Sequence, residues 1–104
     1  MPYAFVKLNI DGEDHVGTDY GAGPVDAALN AIQKITGKLS EIRIKDYGLA
    51  SISGGSNALC EVTVKVEDAL GNKVSAKSVG EDIVTTSVKA VIDAINRIML
   101  KKNA

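Results

Sequence analysis

The sequence predicts an α+β domain made of two pseudo-symmetric, β-rich units that each end in a helix, with an antiparallel sheet and the helices on one face. Segments with strand-like and helix-like spacing follow one another in the order β-β-α, β-β-β-α. In addition, residues 28–35 read ALNAIQKI and residues 91–98 read VIDAINRI, 63 positions later. A supersecondary unit that is used twice is typical of a pseudo-twofold domain.

The first unit reads as strand, turn, strand and helix. Residues 3–10 alternate apolar and polar side chains, as a half-buried strand requires, and Asp11-Gly12 is a hairpin signal. Residues 16–20 alternate again and predict the return strand. Pro24 suits the first position of a helix because its missing N–H is no loss there. Gly37 predicts the end of this helix.

The second unit begins with a long strand, predicted over residues 39–52. Residues 53–57, SGGSN, have the composition of a flexible loop. The clearest strand of the chain follows over residues 58–66, and residues 70–72 predict a turn. A last strand is predicted over residues 72–79.

The second helix runs to about Leu100, with an apolar stripe at helical spacing. Ser78 and Glu81 have the spacing of a capping box, S-x-x-E, but Gly80 lies inside the box, so the helix is expected to begin slightly later.

Length and composition bound the function. A chain of 104 residues is predicted to be one domain spanning residues 1–104. The net charge is −1, there is no Trp and aromatic residues make up 4% of the chain, so a nucleic-acid partner is not expected. The longest apolar run is far shorter than a membrane span, and the first residues do not resemble a signal peptide. Together with a single cysteine, these features predict a cytoplasmic protein without a membrane partner.

Most catalytic templates need residues that this chain lacks. It has one His and one Cys, and a zinc site would need about four such ligands. His15 is interpreted as a solvated turn residue, and Cys60 as a small core side chain on the apolar face of a strand. We therefore predict no catalytic residue, no metal site and no cofactor in this chain.

A glycine-rich stretch precedes the first helix. Gly17, Gly21 and Gly23 are not followed by Lys-Ser/Thr, so the stretch is not a P-loop. One interpretation is tight backbone at a strand-to-helix turn. The other is that exposed N–H groups at the helix start bind a small carboxylate.

Three motifs carry a resemblance to a known family. Residues 21–27 read GAGPVDA, residues 47–58 read YGLASISGGSNA and are followed by EVTV, and residues 80–84 read GEDIV. Together and in this order they resemble the C-terminal regulatory domain of 2-isopropylmalate synthase and its relative citramalate synthase. The similarity extends from about Val16 to Met99.

The resemblance implies a leucine-sensing allosteric module that pairs into a homodimer and binds its effector near the dimer interface. It further implies a separate catalytic TIM barrel in the parent enzyme, an acyltransferase of leucine biosynthesis; this barrel is absent from the present chain. The effector-binding residues carried over by motif are Gly21, Gly23, Val25, Asp26, Ile44, Tyr47, Ser51 and Ala58. We expect Asp26 to bind the ammonium group and the helix-start N–H groups to bind the carboxylate.

Several alternatives stay open from the sequence. Leucine is the first expectation for the effector and isoleucine the second, the latter as in an isoleucine-sensing domain of citramalate synthase. The family commonly has Ala where Ser51 stands here. The chain could instead be a dimerisation module without a ligand. It could also be a small enzyme, which would need a reactive acid or thiol that the sequence does not indicate.

Overall fold

The computed structural model describes residues 1–10, 12–54 and 57–102, without the side chains of residues 38–40, 53–54, 57 and 102. Five strands and two helices follow in the predicted order, which confirms an α+β fold. They are β1 (Tyr3–Ile10), β2 (Glu13–Tyr20), α1 (Pro24–Ser40), β3 (Arg43–Gly54), β4 (Asn57–Glu67), β5 (Lys73–Gly80) and α2 (Ile83–Lys102). The chain divides into a first unit, Met1–Glu41, and a second unit, Ile42–Ala104, each with its own sheet.

The first unit is an antiparallel hairpin covered by one helix. Strands β1 and β2 pair from Tyr3 opposite Tyr20 to Ile10 opposite Glu13, and the turn between them uses Gly12 at φ 83°. Glycine adopts this left-handed conformation without steric cost. Helix α1 packs on both strands. Its buried side chains are those of Ala27, Ala28, Leu29, Ala31, Ile32, Ile35 and Thr36.

The second unit is a three-stranded antiparallel sheet in the order β3-β4-β5, and α2 packs over β4 and β5. Its interior is formed by apolar side chains that alternate along the strands and recur at helical spacing on α2. These side chains belong to Ile42, Val62, Val64, Val66, Val74, Ala76, Ala90, Val91, Ala94, Ile95 and Ile98. In the parts of the chain that the structure describes, neither helix is long and apolar enough to cross a membrane.

The predicted turn between β4 and β5 is confirmed. The buried carboxylate of Asp68 accepts hydrogen bonds from the backbone N–H of Leu70 at 3.0 Å and of Asn72 at 2.9 Å. Gly71 takes the left-handed conformation, at φ 85°. A carboxylate that is hydrogen-bonded to its own turn in this way stabilises the turn.

Several predicted boundaries are wrong. Helix α1 does not end at Gly37 but continues to Ser40, and Glu41 terminates it at φ 53°. As a result, β3 begins at Arg43 rather than at residue 39. Of the predicted loop over residues 53–57, only Gly55 and Ser56 are outside β3 and β4, and these two lie outside the described residues.

The predicted capping box is also wrong, because Ser78 lies within β5. The helix is instead capped by Asp82, whose carboxylate accepts the N–H of Thr85 at 2.8 Å. An aspartate at this position satisfies one of the open N–H groups of the first helical turn.

The two units correspond in their strand-to-helix junctions. Gly21 and Gly80 each precede a helix by three residues, and a Cβ on either would collide with the first turn of that helix. Their separation is 59 residues, as is that of the helix starts Pro24 and Ile83. The repeat in the sequence has a spacing of 63 residues, four more than this structural correspondence. Four residues make about one helical turn, so the repeated residues still lie on the same side of each helix.

Candidate ligand-binding residues

The eight predicted effector-binding residues are divided equally between the two units. Those of the first unit surround the start of α1, and those of the second unit lie on β3 and β4. Each set is described within its own unit.

Gly21 is a packing glycine. Its N–H donates to the carbonyl oxygen of Pro2 at 3.1 Å, which extends the pairing of β1 and β2 by one residue pair. A Cβ at this position would lie 2.8 Å from the Cβ of Asp26 and would also collide with the backbone of Ala27. The absence of a side chain therefore lets the strand end pass close to the helix, whether or not a ligand binds.

Gly23 is different, since a Cβ there would meet nothing within 4 Å. It is the N-cap of α1, in extended conformation at φ −144°, and no side chain caps this helix end. Pro24 has no N–H, and the N–H of Ala27 donates to the Gly23 carbonyl at 3.0 Å. The N–H groups of Val25 and Asp26 are therefore left for an acceptor from outside the helix.

The charge distribution at this helix start suits a zwitterion. Backbone N–H groups and the helix dipole favour a carboxylate at the helix N-terminus. Asp26 is exposed in the first turn and carries the opposite charge, which an ammonium group requires. Val25 is half-buried and supplies an apolar contact beside them.

A β-bulge arranges the predicted residues of the second unit. Ile44 and Tyr47 are three positions apart, and in a regular strand they would point to opposite faces. The register of β3 on β4 shifts between Ile44 and Asp46, so that Ile44 lies opposite Val66 and Tyr47 opposite Val64. The bulge therefore places both side chains on the helix-facing side of the sheet.

Tyr47 is fixed by a buried partner. Its hydroxyl oxygen lies 2.7 Å from Oγ of Ser87, a fully buried residue of α2. The ring is half-buried, with its hydroxyl directed at the helix. This hydrogen bond orients the ring on the sheet, and its residues are 40 positions apart, too far for the sequence to indicate it.

The same sheet face continues beyond Tyr47 without a cover from its own unit. Ser51 lies opposite Cys60, Ala58 lies two residue pairs further along, and both Ser51 and Ala58 are exposed. Leu49 stands between Tyr47 and Ser51 on this face and is 51% exposed. Sequence reasoning missed Leu49, although its spacing of two from both neighbours was a usable signal.

The remaining chemistry of the chain is limited. Cys60 is half-buried and its Sγ lies 3.2 Å from the Gly80 carbonyl oxygen, as expected for a packed thiol. His15 is not in the turn but within β2, half-buried, with Nε2 3.9 Å from a carboxylate oxygen of Glu13. Within residues 1–10, 12–54 and 57–102, no three His, Cys, Asp or Glu side chains are placed to hold a metal ion.

A groove of about 400 Å³ lies elsewhere in the second unit and includes none of the predicted residues. Its walls are mostly long, charged side chains at the end of the sheet. They belong to Lys45, Lys65, Val66, Glu67, Lys73, Val74 and Ser75.

Comparison with known proteins identifies relatives over nearly the whole chain. The family model of the LeuA allosteric (dimerisation) domain matches residues 1–99. The chain is 45% identical over 102 residues to the 2-isopropylmalate synthase of Methanocaldococcus jannaschii, an alignment that covers 98% of this chain and 19% of that protein.

Two further relatives have similar coverage. A probable 2-isopropylmalate synthase of Methanopyrus kandleri is 41% identical over 102 residues, covering 97% of this chain and 20% of that protein. The (R)-citramalate synthase of Methanocaldococcus jannaschii is 40% identical over 100 residues, covering 94% and 20%. The chain spans about a fifth of the length of these relatives.

Proposed function

Because the chain belongs to the LeuA allosteric (dimerisation) domain family, we propose that it is a regulatory domain that binds a branched-chain amino acid at a homodimer interface. Leucine is the first candidate and isoleucine the second. The observation that carries the proposal is the family match over residues 1–99. The uncapped start of α1 supports it, because this helix end has N–H groups available for a carboxylate.

The start of α1 is proposed to bind the charged groups of the effector. At the start of α1, the N–H groups of Val25 and Asp26 bind the carboxylate, and the Asp26 side chain binds the ammonium group. Within the second unit, Ile44, Tyr47, Ser51 and Ala58 remain predicted effector-binding residues, since apolar and small side chains suit an aliphatic ligand.

The proposed role is regulatory rather than catalytic. The relatives are named as synthases, and this chain corresponds to about a fifth of their length. We propose that the parent enzyme is an acyltransferase of leucine biosynthesis, with a separate catalytic TIM barrel, working in the cytoplasm. Effector binding would favour one packing of the dimer interface and thereby change catalysis in that barrel.

Calorimetric titration of the folded chain with leucine, isoleucine and valine tests this proposal. We expect saturable heat with at least one of them, and an affinity that falls by about tenfold or more in Asp26→Asn, since a charge-assisted hydrogen bond is lost. Asp93→Asn is the matched control, because it removes a partly exposed helix carboxylate whose ion pair is with Arg97. Its titration should match that of the wild-type chain.

The outcomes separate the alternatives. A preference for isoleucine over leucine would favour the citramalate synthase type of effector. A folded dimer that gives no heat with any of the three amino acids would reject effector binding and leave a dimerisation module.

A further inference from the structure

The outer edge of β1 is an open strand edge. The hydrogen bond from the Gly21 N–H to the Pro2 carbonyl shows which residues of the antiparallel ladder exchange hydrogen bonds. By alternation, the even-numbered residues of β1 bond to β2, and the odd-numbered ones direct their N–H and C=O groups away from it. The outward residues are Tyr3, Phe5, Lys7 and Asn9.

The opposite edge of the same hairpin is capped by its own helix. The Nδ2 of Asn30 donates to the Tyr20 carbonyl at 3.0 Å, and the Nζ of Lys34 donates to the Thr18 carbonyl at 3.2 Å. Side chains that occupy edge carbonyls in this way discourage pairing with another chain.

The edge strand β5 of the second unit is also capped by side chains of its own helix. The Nη1 of Arg97 donates to the Ser75 carbonyl at 3.3 Å, and the Nζ of Lys101 donates to the Lys73 carbonyl at 3.5 Å. No such side chain reaches the outward backbone groups of residues 3–7, as far as the described residues show.

The second unit shows what occupies the corresponding edge when a partner strand is present. Its strand β4 pairs with β5 as β1 pairs with β2, and on its other edge β4 pairs antiparallel with β3. The first unit has no strand in the place of β3. The first unit therefore lacks an antiparallel strand that would pair with the free edge of β1, as β3 pairs with β4 in the second unit.

The face beside this edge is aromatic at its Tyr3 end and carries the ion pair of Lys7 and Asp14, at 3.3 Å, at its other end. The rings of Tyr3 and Tyr20 contact each other in a tilted arrangement with centroids 5.2 Å apart, and the side chain of Phe5 is 63% exposed. On the corresponding face of the second unit, Lys77 and Glu61 form an ion pair instead. Clustered exposed aromatic residues mark an interaction surface.

We propose that the free edge of β1 pairs antiparallel with β1 of a second copy of this chain, joining two hairpins into one four-stranded sheet. The proposal rests on the homodimer proposed above and identifies its contact. An isologous contact of this kind needs a strand that is complementary to itself. A twofold axis at Val6 places Phe5 opposite Lys7 of the second copy, so that no like charges stand directly opposite each other.

Proline substitution at two opposing positions tests this pairing. Lys7 and Val16 are partners in the hairpin, and both direct their N–H groups away from it, on opposite edges. We expect Lys7→Pro to raise the dimer dissociation constant about tenfold or more, since proline removes an edge donor and blocks the approach of a strand. The matched control Val16→Pro should leave dimerisation unchanged. Analytical ultracentrifugation measures both, and circular dichroism checks that both fold.

Hydrogen exchange of the wild-type chain gives a test that does not depend on a variant. The amides of Phe5 and Lys7 should become protected as protein concentration rises, whereas the amide of Val16 should not. A wild-type dimer in which these amides exchange equally at all concentrations would overturn the edge pairing. Leucine binding by such a dimer would leave the proposed function intact. A chain that is monomeric at all protein concentrations would also overturn the edge pairing.

Discussion

The two units of this chain share a plan but differ in what they leave open. Both place antiparallel strands under a helix and bring a glycine against the first helical turn. The second unit has three strands, a helix start capped by Asp82 and a charged outer face. The first unit has two strands, an uncapped helix start at Gly23 and an aromatic outer face.

The shared and the differing features of the two units have different origins. Features present in both units, such as the glycine at the junction, are explained by packing. The first unit lacks two features that the second unit has within itself, a helix cap and a third strand. The first unit has one strand fewer under its helix than the second unit, so it has more to gain from a ligand and a partner.

The largest expected effect comes from Gly17, where the two units differ in the space between strand and helix. A Cβ at Gly17 would lie 2.8 Å from Cγ1 of Ile35 and would press on the Ala31 carbonyl. The corresponding residue of the second unit, Ala76, is buried without such a conflict. We expect Gly17→Val to lower the free energy of unfolding by about 3 kcal/mol or to unfold the first unit, as overpacking does. Urea denaturation monitored by circular dichroism measures it.

Gly48→Ala is the control for this substitution. Gly48 is also a strand glycine, but its added Cβ would meet only the Thr63 carbonyl oxygen, at 3.9 Å. Its stability should stay within about 0.5 kcal/mol of the wild type, as for other surface changes. Equal destabilisation by both substitutions would show that α1 and β2 are not as closely packed as described.

An intermediate effect is expected at the hydrogen bond between Tyr47 and Ser87. Tyr47→Phe should destabilise the second unit by about 1–2 kcal/mol, because it leaves the buried Ser87 hydroxyl without this partner. Adding Ser87→Ala should recover part of the loss, and a double-mutant cycle measures the coupling. Tyr3→Phe is the control, since its ring is exposed. Additive effects of the two core substitutions would argue against the hydrogen bond.

The sequence predicted the order of elements and their buried faces because both depend on local periodicity. It located the turns at Gly12 and Gly71, whose residue types suit a left-handed backbone. It misplaced the end of α1, because Gly37 reads as a terminator while the helix continues to Ser40. Glycine in a helix is only about 1 kcal/mol less favourable than alanine, which tertiary packing outweighs.

The candidate residues were predicted from a family resemblance, and their geometry was beyond the sequence. The bulge between Ile44 and Asp46 depends on how β3 pairs with β4, which no local pattern encodes. The bond of Tyr47 to Ser87 joins residues far apart in the chain. The contrast between Gly21, which packs on the helix, and Gly23, which has open space around it, likewise needed coordinates.

The smallest expected effect concerns the helix starts, where the comparison between the units is most direct. Asp82→Ala removes the cap of α2 and should cost about 1 kcal/mol, a typical value for an N-cap aspartate. Gly23→Ser adds a capping hydroxyl to α1 and should change stability by no more than about 0.5 kcal/mol, because glycine is already an acceptable N-cap. Thermal unfolding measures both changes.

Calorimetric titration with the effector then distinguishes the two helix starts. Gly23→Ser should weaken effector binding because its hydroxyl competes for the N–H groups, whereas Asp82→Ala should not. Unaltered binding in Gly23→Ser would mean that the effector carboxylate does not use the start of α1.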